Sequence, residues 1–331
     1  MDQRPNGGPL AFNTMRLTWP DLPHRVRDRV ADLAGAEVVN ARGTTTGFGP
    51  GFAGIVDLAN GTRVFVKATG EHEHPWSIGL ARAELRANAA LPETVPAPRL
   101  LWSDQGAWTL AGFECLEGAS PSLPWSTSDL GRVFDALTDL ARTPLTPGHA
   151  LIPIVTSDTE FFTVWESFAK RPKQERLAAA ARGGRWGEWA LRHVDTFVAW
   201  ECEAAAACAG GALVHGDLRA DNVVIDTCGK AWMVDWPHAT VGAPWLDLAF
   251  FLPSVEMQGG GSALEHFRSH PLGVSVGHRE LRAVVTVLTG YFMLSSWQDA
   301  PEQIPRLREF QAAQAIPAAR WLQALEPELA G

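Results

Sequence analysis

The chain has 331 residues, enough for one large domain or two ordinary lobes, and its 46% hydrophobic and 20% charged residues are typical of a soluble globular protein. Its net charge of −9 argues against a nucleic-acid-binding protein, which usually carries a basic patch. Four cysteines without a CxxC pair argue against a disulfide scaffold or zinc site and favour the cytoplasm, and neither a signal peptide nor an uninterrupted membrane span is evident.

The first third of the chain predicts a mostly antiparallel sheet with one inserted helix. Residues 24–35 have the pattern of a short amphipathic helix that ends at Gly35. The segments GFAGIVDLA and TRVFVKA flank Asn60 and Gly61, which is a strong hairpin signal. A helix is expected over 76–91, stopped by Pro92, and two further strands flank 104–106.

A glycine-rich segment, TTTGFGPGFAG, lies between two of these strands. Backbone N–H groups can approach phosphates closely where side chains are absent. Gly47, Gly49 and Gly51 are therefore candidate phosphate-binding residues, although glycine-rich hairpins without ligands are common.

A lysine, Lys67, ends the apolar strand VFVK and needs a partner if it is buried. Glu84 on the following helix is the best candidate, with Glu71 and Glu73 as alternatives in a loop-like segment. The alternative for Glu84 is an exposed helix residue beside Arg82 or Arg86.

After Gly118 the sequence becomes Ser- and Pro-rich and then mainly helical, and Ser128 or Asp129 is expected to cap the first helix. Helix breaks are expected near Pro172 and residues 183–184, and helices resume at about residue 245. This layout predicts two lobes, a small sheet-rich lobe over 1–116 and a larger helical lobe over 117–331. The acidic excess lies in the second lobe, as a solvated surface or as a cleft for a cationic ligand.

The segment LVHGDLRADNVVID interrupts the helices with β-branched residues. We expect NVVID and AWMVD to form a hairpin in which Asp226 pairs with Ala231, so that Asn222 faces Asp235. Hard oxygen ligands held together in this way suit Mg²⁺, which takes further ligands from phosphates and water.

The spacing of His215, Asp217 and Asn222 matches H-x-D-L-x-x-x-N, the catalytic loop of kinases. A carboxylate at Asp217 can accept the proton of an attacking hydroxyl, while Asn222 and Asp235 hold the metal. His215 is expected to be structural and to bond to backbone near Asp235. Taken singly, Asp217 and Asn222 could both be turn residues.

The sequence resembles the aminoglycoside phosphotransferase family, small-molecule kinases with a protein-kinase-like, two-lobe α+β fold. The resemblance rests on VHGDLRADN, MVDW and GAPWLDLAFFL and covers about residues 40–325. It implies Asp217 as the base, Asn222 and Asp235 as metal ligands, and Lys67 on the donor phosphates with Glu84 orienting it. It also implies that residues 1–116 form the nucleotide-binding lobe and that residues 117–331 contain the catalytic loop and the acceptor site. It also implies that Asp247 steadies the catalytic loop by accepting backbone N–H bonds, although Asp247 could equally cap the next helix.

The segment GFECLEG resembles the hinge at which such kinases bind adenine. This implies hydrogen bonds to the carbonyl of Glu114 and the N–H of Leu116, with Phe113 behind the pocket. Either ATP or GTP fits as the donor.

The acceptor is predicted to be a small-molecule alcohol. Asp235 is followed by Trp236 and Pro237, and since proline restricts the backbone we expect that Asp235 does not swing out of the site. An aminoglycoside or another antibiotic is one candidate acceptor, choline or another amino alcohol is an alternative, and a nucleotide-binding pseudokinase is a third reading. Five acids could bind a cationic acceptor: Asp158, Glu160, Glu166, Glu256 and Asp299.

Overall fold

The N-terminal third folds into a five-stranded antiparallel sheet, in a computed structural model that describes residues 16–44, 49–71, 75–302 and 304–330. The strand order is β1-β2-β3-β5-β4. One helix, α1, precedes the sheet, and a second, α2, is inserted between β3 and β4. The bounds are α1 (His24–Ala34), β1 (Val38–Gly43), β2 (Phe52–Leu58), β3 (Arg63–Gly70), α2 (Pro75–Ala90), β4 (Leu100–Gln105) and β5 (Trp108–Glu114).

The remainder is mainly helical, with three short strands inserted around the predicted catalytic loop and two more beside them. Strands β6, β8 and β9 form one small sheet, and β7 pairs with β10. The elements are β6 (Gly118–Ala119), α3 (Thr127–Arg142), α4 (Ile154–Ser157), α5 (Val164–Ala169), α6 (Lys173–Ala181), α7 (Arg185–Glu201), α8 (Ala204–Cys208), β7 (Ala212–Val214), β8 (Val223–Asp226), β9 (Ala231–Met233), β10 (Thr240–Gly242), α9 (Leu246–Met257), α10 (Ala263–Ser269), α11 (His278–Ser296) and α12 (Leu307–Leu325).

This arrangement confirms the predicted α+β fold, with a sheet-rich part followed by a larger helical part. Gly35 ends α1 in a left-handed conformation, with φ of 70°.

The largest core cluster lies among the C-terminal helices, where Val284, Val285 and Val287 of α11 are fully buried. No helix in the described ranges is long and apolar enough to cross a membrane. The division at residues 116 and 117 stays a prediction.

The cap of α3 differs from the prediction. Ser126 precedes the helix, and its hydroxyl accepts a hydrogen bond from the Asp129 N–H at 3.1 Å. Asp129 is therefore in the first turn, and Ser128 is the second helical residue. A serine three residues before the orphan N–H is the usual geometry of an N-cap.

The register of the β8–β9 hairpin also differs from the prediction. Val223 pairs with Met233 and Ile225 with Ala231, so the strands are shifted by one residue from the expected pairing. The cause is the turn: the Asp226 N–H donates to the Lys230 carbonyl at 3.0 Å, which leaves a three-residue loop. Gly229 occupies the left-handed position of this loop, with φ of 86°.

Candidate active site

A cavity of about 850 Å³ lies between the sheet and the helical part and is lined by both. Its volume is in the range of small-molecule sites. Nine of the twelve residues predicted to act in catalysis, to bind the donor or the metal, or to support the catalytic loop line it: Gly49, Gly51, Lys67, Glu84, Glu114, Leu116, Asp217, Asn222 and Asp235. Gly47 lies outside the described residues. The remaining two, His215 and Asp247, are buried behind the catalytic loop.

Lys67 joins the two parts of the chain within this cavity. Its Nζ donates to Glu84 Oε1 at 2.6 Å and to Asp235 Oδ1 at 2.8 Å. Glu84 rather than Glu71 is thus the partner, and its side chain is only 8% exposed. Burial would lower the pKa of Lys67, but the two carboxylates outweigh it and raise the pKa above its usual value. The ammonium therefore stays charged, as a phosphate-binding group requires.

The two carboxylates respond differently to this single cation. Burial raises the pKa of Glu84, and the nearby charge of Asp235 adds to that effect while Lys67 opposes it. Burial also acts to raise the pKa of Asp235, but Lys67 and Arg219 lower it well below its usual value. Because Asp235 keeps 42% of its side chain accessible to the cavity, we regard it as the permanently ionised member.

Asp217 lies in the loop after β7, and Arg219 pairs with its Oδ1. The same guanidinium forms two hydrogen bonds of 3.1 Å to the carboxylate of Asp221. Burial raises the pKa of Asp217, whereas the charge of Arg219 lowers it. A carboxylate that is desolvated yet anchored by a cation has the properties of a positioned proton acceptor.

His215 and Asp247 support this loop from behind. Asp247 accepts hydrogen bonds from the N–H groups of His215 at 2.7 Å and Gly216 at 2.9 Å. The Asp217 N–H points to His215 Nδ1 at 3.3 Å, so His215 Nε2 carries the proton that is donated to the Val234 carbonyl at 3.0 Å. Burial lowers the pKa of His215 to about 4, consistent with a neutral ring. Helix α9 begins at Leu246 with Trp245 as its cap, so Asp247 is not an N-cap.

Asn222 and Asp235 are not opposite each other as predicted. The one-residue shift places Asn222 opposite Val234, whose N–H donates to the Asn222 carbonyl at 2.9 Å. Asp235 follows with φ of 69°, outside the range of a strand, so the alternation of side chains no longer fixes its direction. Both side chains nevertheless line the same cavity, Asp235 through its contact with Lys67.

The side-chain oxygen atoms of Asn222 and Asp235 are of the chemical type that a divalent cation binds. Asn222 Nδ2 donates to the Asp217 carbonyl at 2.7 Å, which fixes the amide and turns Oδ1 away from that bond. Asp235 Oδ1 accepts a hydrogen bond from Lys67, and no hydrogen bond from a described side chain to Asp235 Oδ2 is observed. In the described ranges, no three acidic, His or Cys side chains cluster to form a complete metal site. Such a pair suits Mg²⁺ that takes its other ligands from phosphates and water.

The glycine segment and the hinge line the cavity on the sheet side. A Cβ added at Gly51 would lie 2.4 Å from the Ala68 carbonyl oxygen, so the close approach to β3 by itself requires glycine at that position. Strand β5 ends at Glu114, and Leu116 follows in the connection to β6. Phe113 is 3% exposed and lines the cavity, with its ring centroid 5.8 Å from Lys67 Nζ.

Two arginines in the cavity were not singled out from the sequence. Arg219 falls in the unspecified part of H-x-D-L-x-x-x-N, but its place between Asp217 and Asp221 in the chain is a signal of local charge pairing. Arg16 precedes the sheet; it donates to Thr44 Oγ1 at 3.3 Å and lines the cavity beside Gly49. No local pattern marks Arg16, because its position depends on the tertiary fold.

Solved structures of similar fold were found, and the three described next are each below 25% identical to this chain. An aminoglycoside phosphotransferase in complex with ADP and hygromycin B has 16% identity and a TM-score of 0.56, covering 88% of this chain and 98% of that one. A spectinomycin phosphotransferase in complex with ADP and spectinomycin has 14% identity and a TM-score of 0.57, covering 92% and 99%. The choline kinase of Streptococcus pneumoniae has 15% identity and a TM-score of 0.58, covering 91% and 98%. No curated protein sequence matched the chain.

The fold is therefore that of the kinase-like phosphotransferases. A family profile described as "Phosphotransferase enzyme family" matches residues 56–284, more than half of the chain. The chain belongs to that family, which confirms the resemblance seen in its motifs.

Proposed function

We propose that the protein transfers the γ-phosphate of a nucleoside triphosphate, ATP or GTP, to a hydroxyl group of a small molecule, with Mg²⁺ as cofactor. The observation that carries the proposal is the bridge of Lys67 to Glu84 and Asp235 at the edge of a cavity that also contains Asp217 and Asn222. A phosphate-binding cation, an oxygen-ligand pair and a buried carboxylate in one cavity are what phosphoryl transfer requires.

In the proposed mechanism, Lys67 binds the phosphates of the donor, and Glu84 holds its ammonium in place. Asn222 and Asp235 would hold Mg²⁺, which when bound neutralises charge on the phosphates. Asp217 orients the acceptor hydroxyl and takes its proton as the oxygen attacks phosphorus. The bond from the γ-phosphorus to the bridging oxygen breaks, and the nucleoside diphosphate leaves.

The supporting residues preserve the geometry of this site. Asp247 fixes the backbone of residues 215 and 216 through two N–H groups, and neutral His215 connects that backbone to Val234, next to Asp235. The backbone beside Asp217 and the backbone beside Asp235 are thereby held by the same buried imidazole ring of His215. Positioning of this kind contributes much of the rate in phosphoryl transfer.

The test is release of nucleoside diphosphate in the presence of Mg²⁺ and a panel of alcohols. Asp217→Asn should lower kcat by about 100-fold or more, because general-base catalysis contributes roughly that much, and should leave nucleotide affinity nearly intact. Asp195→Asn, a change at an exposed acid on α7, is the matched control. Turnover that survives Asp217→Asn, or a large loss of nucleotide affinity, would contradict the assignment of the base.

The choline-type kinase and the pseudokinase are separated by the same experiment. Phosphorylation of an amino alcohol in preference to the other alcohols would favour the first reading. Nucleotide binding without transfer to any alcohol would favour the second, although the ionised Lys67 and Asp235 pair argues for turnover.

A further inference from the structure

Three lysine or arginine side chains of the described residues line the cavity, and they differ in their partners. Lys67 and Arg219 each contact two carboxylates. The third is Arg16, whose Nη1 donates to the neutral hydroxyl of Thr44 at 3.3 Å and for which no ion pair with a described acid is observed. A partly desolvated cation is stabilised by an anion, so Arg16 is suited to an anionic ligand of the cavity.

The guanidinium of Arg16 lies against the glycine-rich segment. A Cβ added at Gly49 would lie 3.7 Å from Arg16 Nη2, which places that end of the side chain at the surface of the segment. Arg16 Nε is buried and forms no hydrogen bond with a described residue. A guanidinium stays protonated at physiological pH and binds phosphate oxygens through parallel N–H groups. A phosphate group is therefore the anion that fits this position best.

The segment that carries Arg16 is anchored to the same glycine-rich segment. The Leu17 N–H donates to the Pro50 carbonyl at 3.2 Å. The Trp19 ring packs edge-on against Phe52, with the ring centroids 5.4 Å apart. These two contacts hold Arg16 in the cavity through its neighbours in the chain. A side chain that is already held in place loses little conformational entropy when it binds a ligand.

Charges of the proposed metal site and of the catalytic loop both act on Arg16. Burial lowers the pKa of Arg16, whereas the charges of Asp235 and Asp221 raise it. Asp235 is the proposed metal ligand, and Asp221 lies four residues after the proposed base, Asp217. The phosphoryl group that is transferred must lie between the metal and the base. The position of Arg16 therefore fits the γ-phosphate better than the phosphates nearer the nucleoside.

We infer that Arg16 binds the γ-phosphate of the nucleoside triphosphate. It is thus a second cation on the donor besides Lys67, and it comes from the segment that precedes the sheet rather than from the sheet itself. The inference rests on the proposed function, since it assigns a further residue to the donor of that reaction.

The first experiment compares the binding of two nucleotides and does not depend on turnover. Calorimetry with Mg²⁺ would give the dissociation constants of ADP and of a non-hydrolysable ATP analogue, and of their guanine counterparts. Arg16→Met should weaken binding of the triphosphate analogue about ten-fold or more and leave that of the diphosphate nearly unchanged, because a charge-assisted hydrogen bond to the third phosphate is lost. Equal weakening of both nucleotides, as simple neutralisation of the acidic cavity would cause, or no weakening of either, would overturn the inference.

Two further variants separate the charge at position 16 from general effects. Arg16→Lys keeps the cation and should bind the triphosphate analogue more tightly than Arg16→Met does. Arg25→Met removes an exposed arginine on α1 and should leave the affinities for both nucleotides unchanged. Equal affinities of Arg16→Lys and Arg16→Met, or an effect of Arg25→Met as large as that of Arg16→Met, would count against the assignment.

Failure of the inference and failure of the proposed function give different results. Unchanged nucleotide affinities in Arg16→Met, in a protein that phosphorylates an alcohol, would overturn only the inference about Arg16. Selective loss of triphosphate binding in Arg16→Met, in a protein that transfers phosphate to no alcohol, would overturn only the proposed function. A native protein that binds neither nucleotide would overturn both.

Discussion

Arg219 connects the carboxylates of Asp217 and Asp221, which lie two residues to either side of it in the chain. Kinase-loop spacing marks Asp217 and Asn222 but leaves the residues between them unspecified. Sequence reasoning could therefore single out Asp217 and Asn222, whereas the contact between Arg219 and Asp217 became apparent only with the side chains in place. Arg16 could not be predicted at all, because nothing near it in the chain indicates that it reaches the cavity.

Arg219→Ala should move the acidic limb of the pH–rate profile to higher pH. The charge of Arg219 lowers the pKa of Asp217, so its removal lets burial raise that pKa further and protonates the base at higher pH. A displacement of about one pH unit or more is expected for loss of a contacting cation. Arg219→Lys keeps the charge and should restore most of the profile, whereas an unmoved limb in Arg219→Ala would contradict the pairing.

His215→Gln should remove a pH dependence of stability. The unfolded chain binds a proton at His215 below about pH 6.5, whereas burial holds the native pKa at about 4. Stability from this group is therefore present above pH 6.5 and is lost as the pH falls towards 4. Glutamine can still donate to the Val234 carbonyl but does not titrate.

The measurement is urea unfolding of both proteins at pH 7 and pH 5. The free energy of unfolding of the native protein, relative to that of His215→Gln, should fall by about 2 kcal/mol from pH 7 to pH 5. Burial raises the pKa of Asp247 to about 6, so the contribution of Asp247 to stability changes with pH in the opposite direction over this range. Asp247 is present in both proteins, so this contribution cancels in the comparison. A difference that does not depend on pH would show that His215 is not buried as a neutral ring.

At the level of elements, the two hairpins that carry the site share one turn. In the first hairpin, the Leu58 N–H donates to the Thr62 carbonyl, and the Gly61 N–H donates to the Leu58 carbonyl. In the second, the Asp226 N–H donates to the Lys230 carbonyl, and the Gly229 N–H donates to the Asp226 carbonyl. Composition predicted both hairpins correctly. The register of β8–β9 was predicted wrongly, because the sequence is compatible with either a four-residue or a three-residue loop. The two loops differ in the loop position at which the glycine adopts its positive φ.

Gly229→Ala should destabilise the protein by about 1–2 kcal/mol, the cost of a left-handed conformation for a residue with a Cβ. The added carbon would also lie 3.1 Å from Arg132 Nε. Gly131→Ala is the matched comparison: it lies within α3 with open space around the new Cβ and should stabilise by about 0.5–1 kcal/mol. Both are measured by denaturant unfolding, and equal effects of the two substitutions would contradict the turn assignment.

At the scale of the whole molecule, the order of strands and helices followed from the sequence, whereas the shape of the acceptor site did not. Hydrophobic periodicity identifies elements one at a time. The same cavity is lined by Phe161 and Phe310, which are far apart in the chain, and by Asp158, and no local pattern shows that these residues meet. Long-range packing decides which side chains share a cavity.

A non-hydrolysable nucleotide should raise the melting temperature of the whole protein, and more so with Mg²⁺ present. At 100 times the dissociation constant, a ligand stabilises the native state by about 2.7 kcal/mol. Asp235→Asn should abolish the additional effect of Mg²⁺, while Asp195→Asn on the surface of α7 should retain it. A full Mg²⁺ effect in Asp235→Asn would remove this residue from the proposed metal site.

The backbone at Asp235 restricts which amino acids evolution can place there. A φ of 69° is comfortable for glycine and tolerated by asparagine and aspartate, but it is unfavourable for glutamate and other longer or branched residues. Of the three tolerated residues only aspartate carries the negative charge that contacts Lys67. Conformation and charge thus select the same residue independently, so even a replacement that conserves the charge, such as Asp235→Glu, is expected to be poorly tolerated.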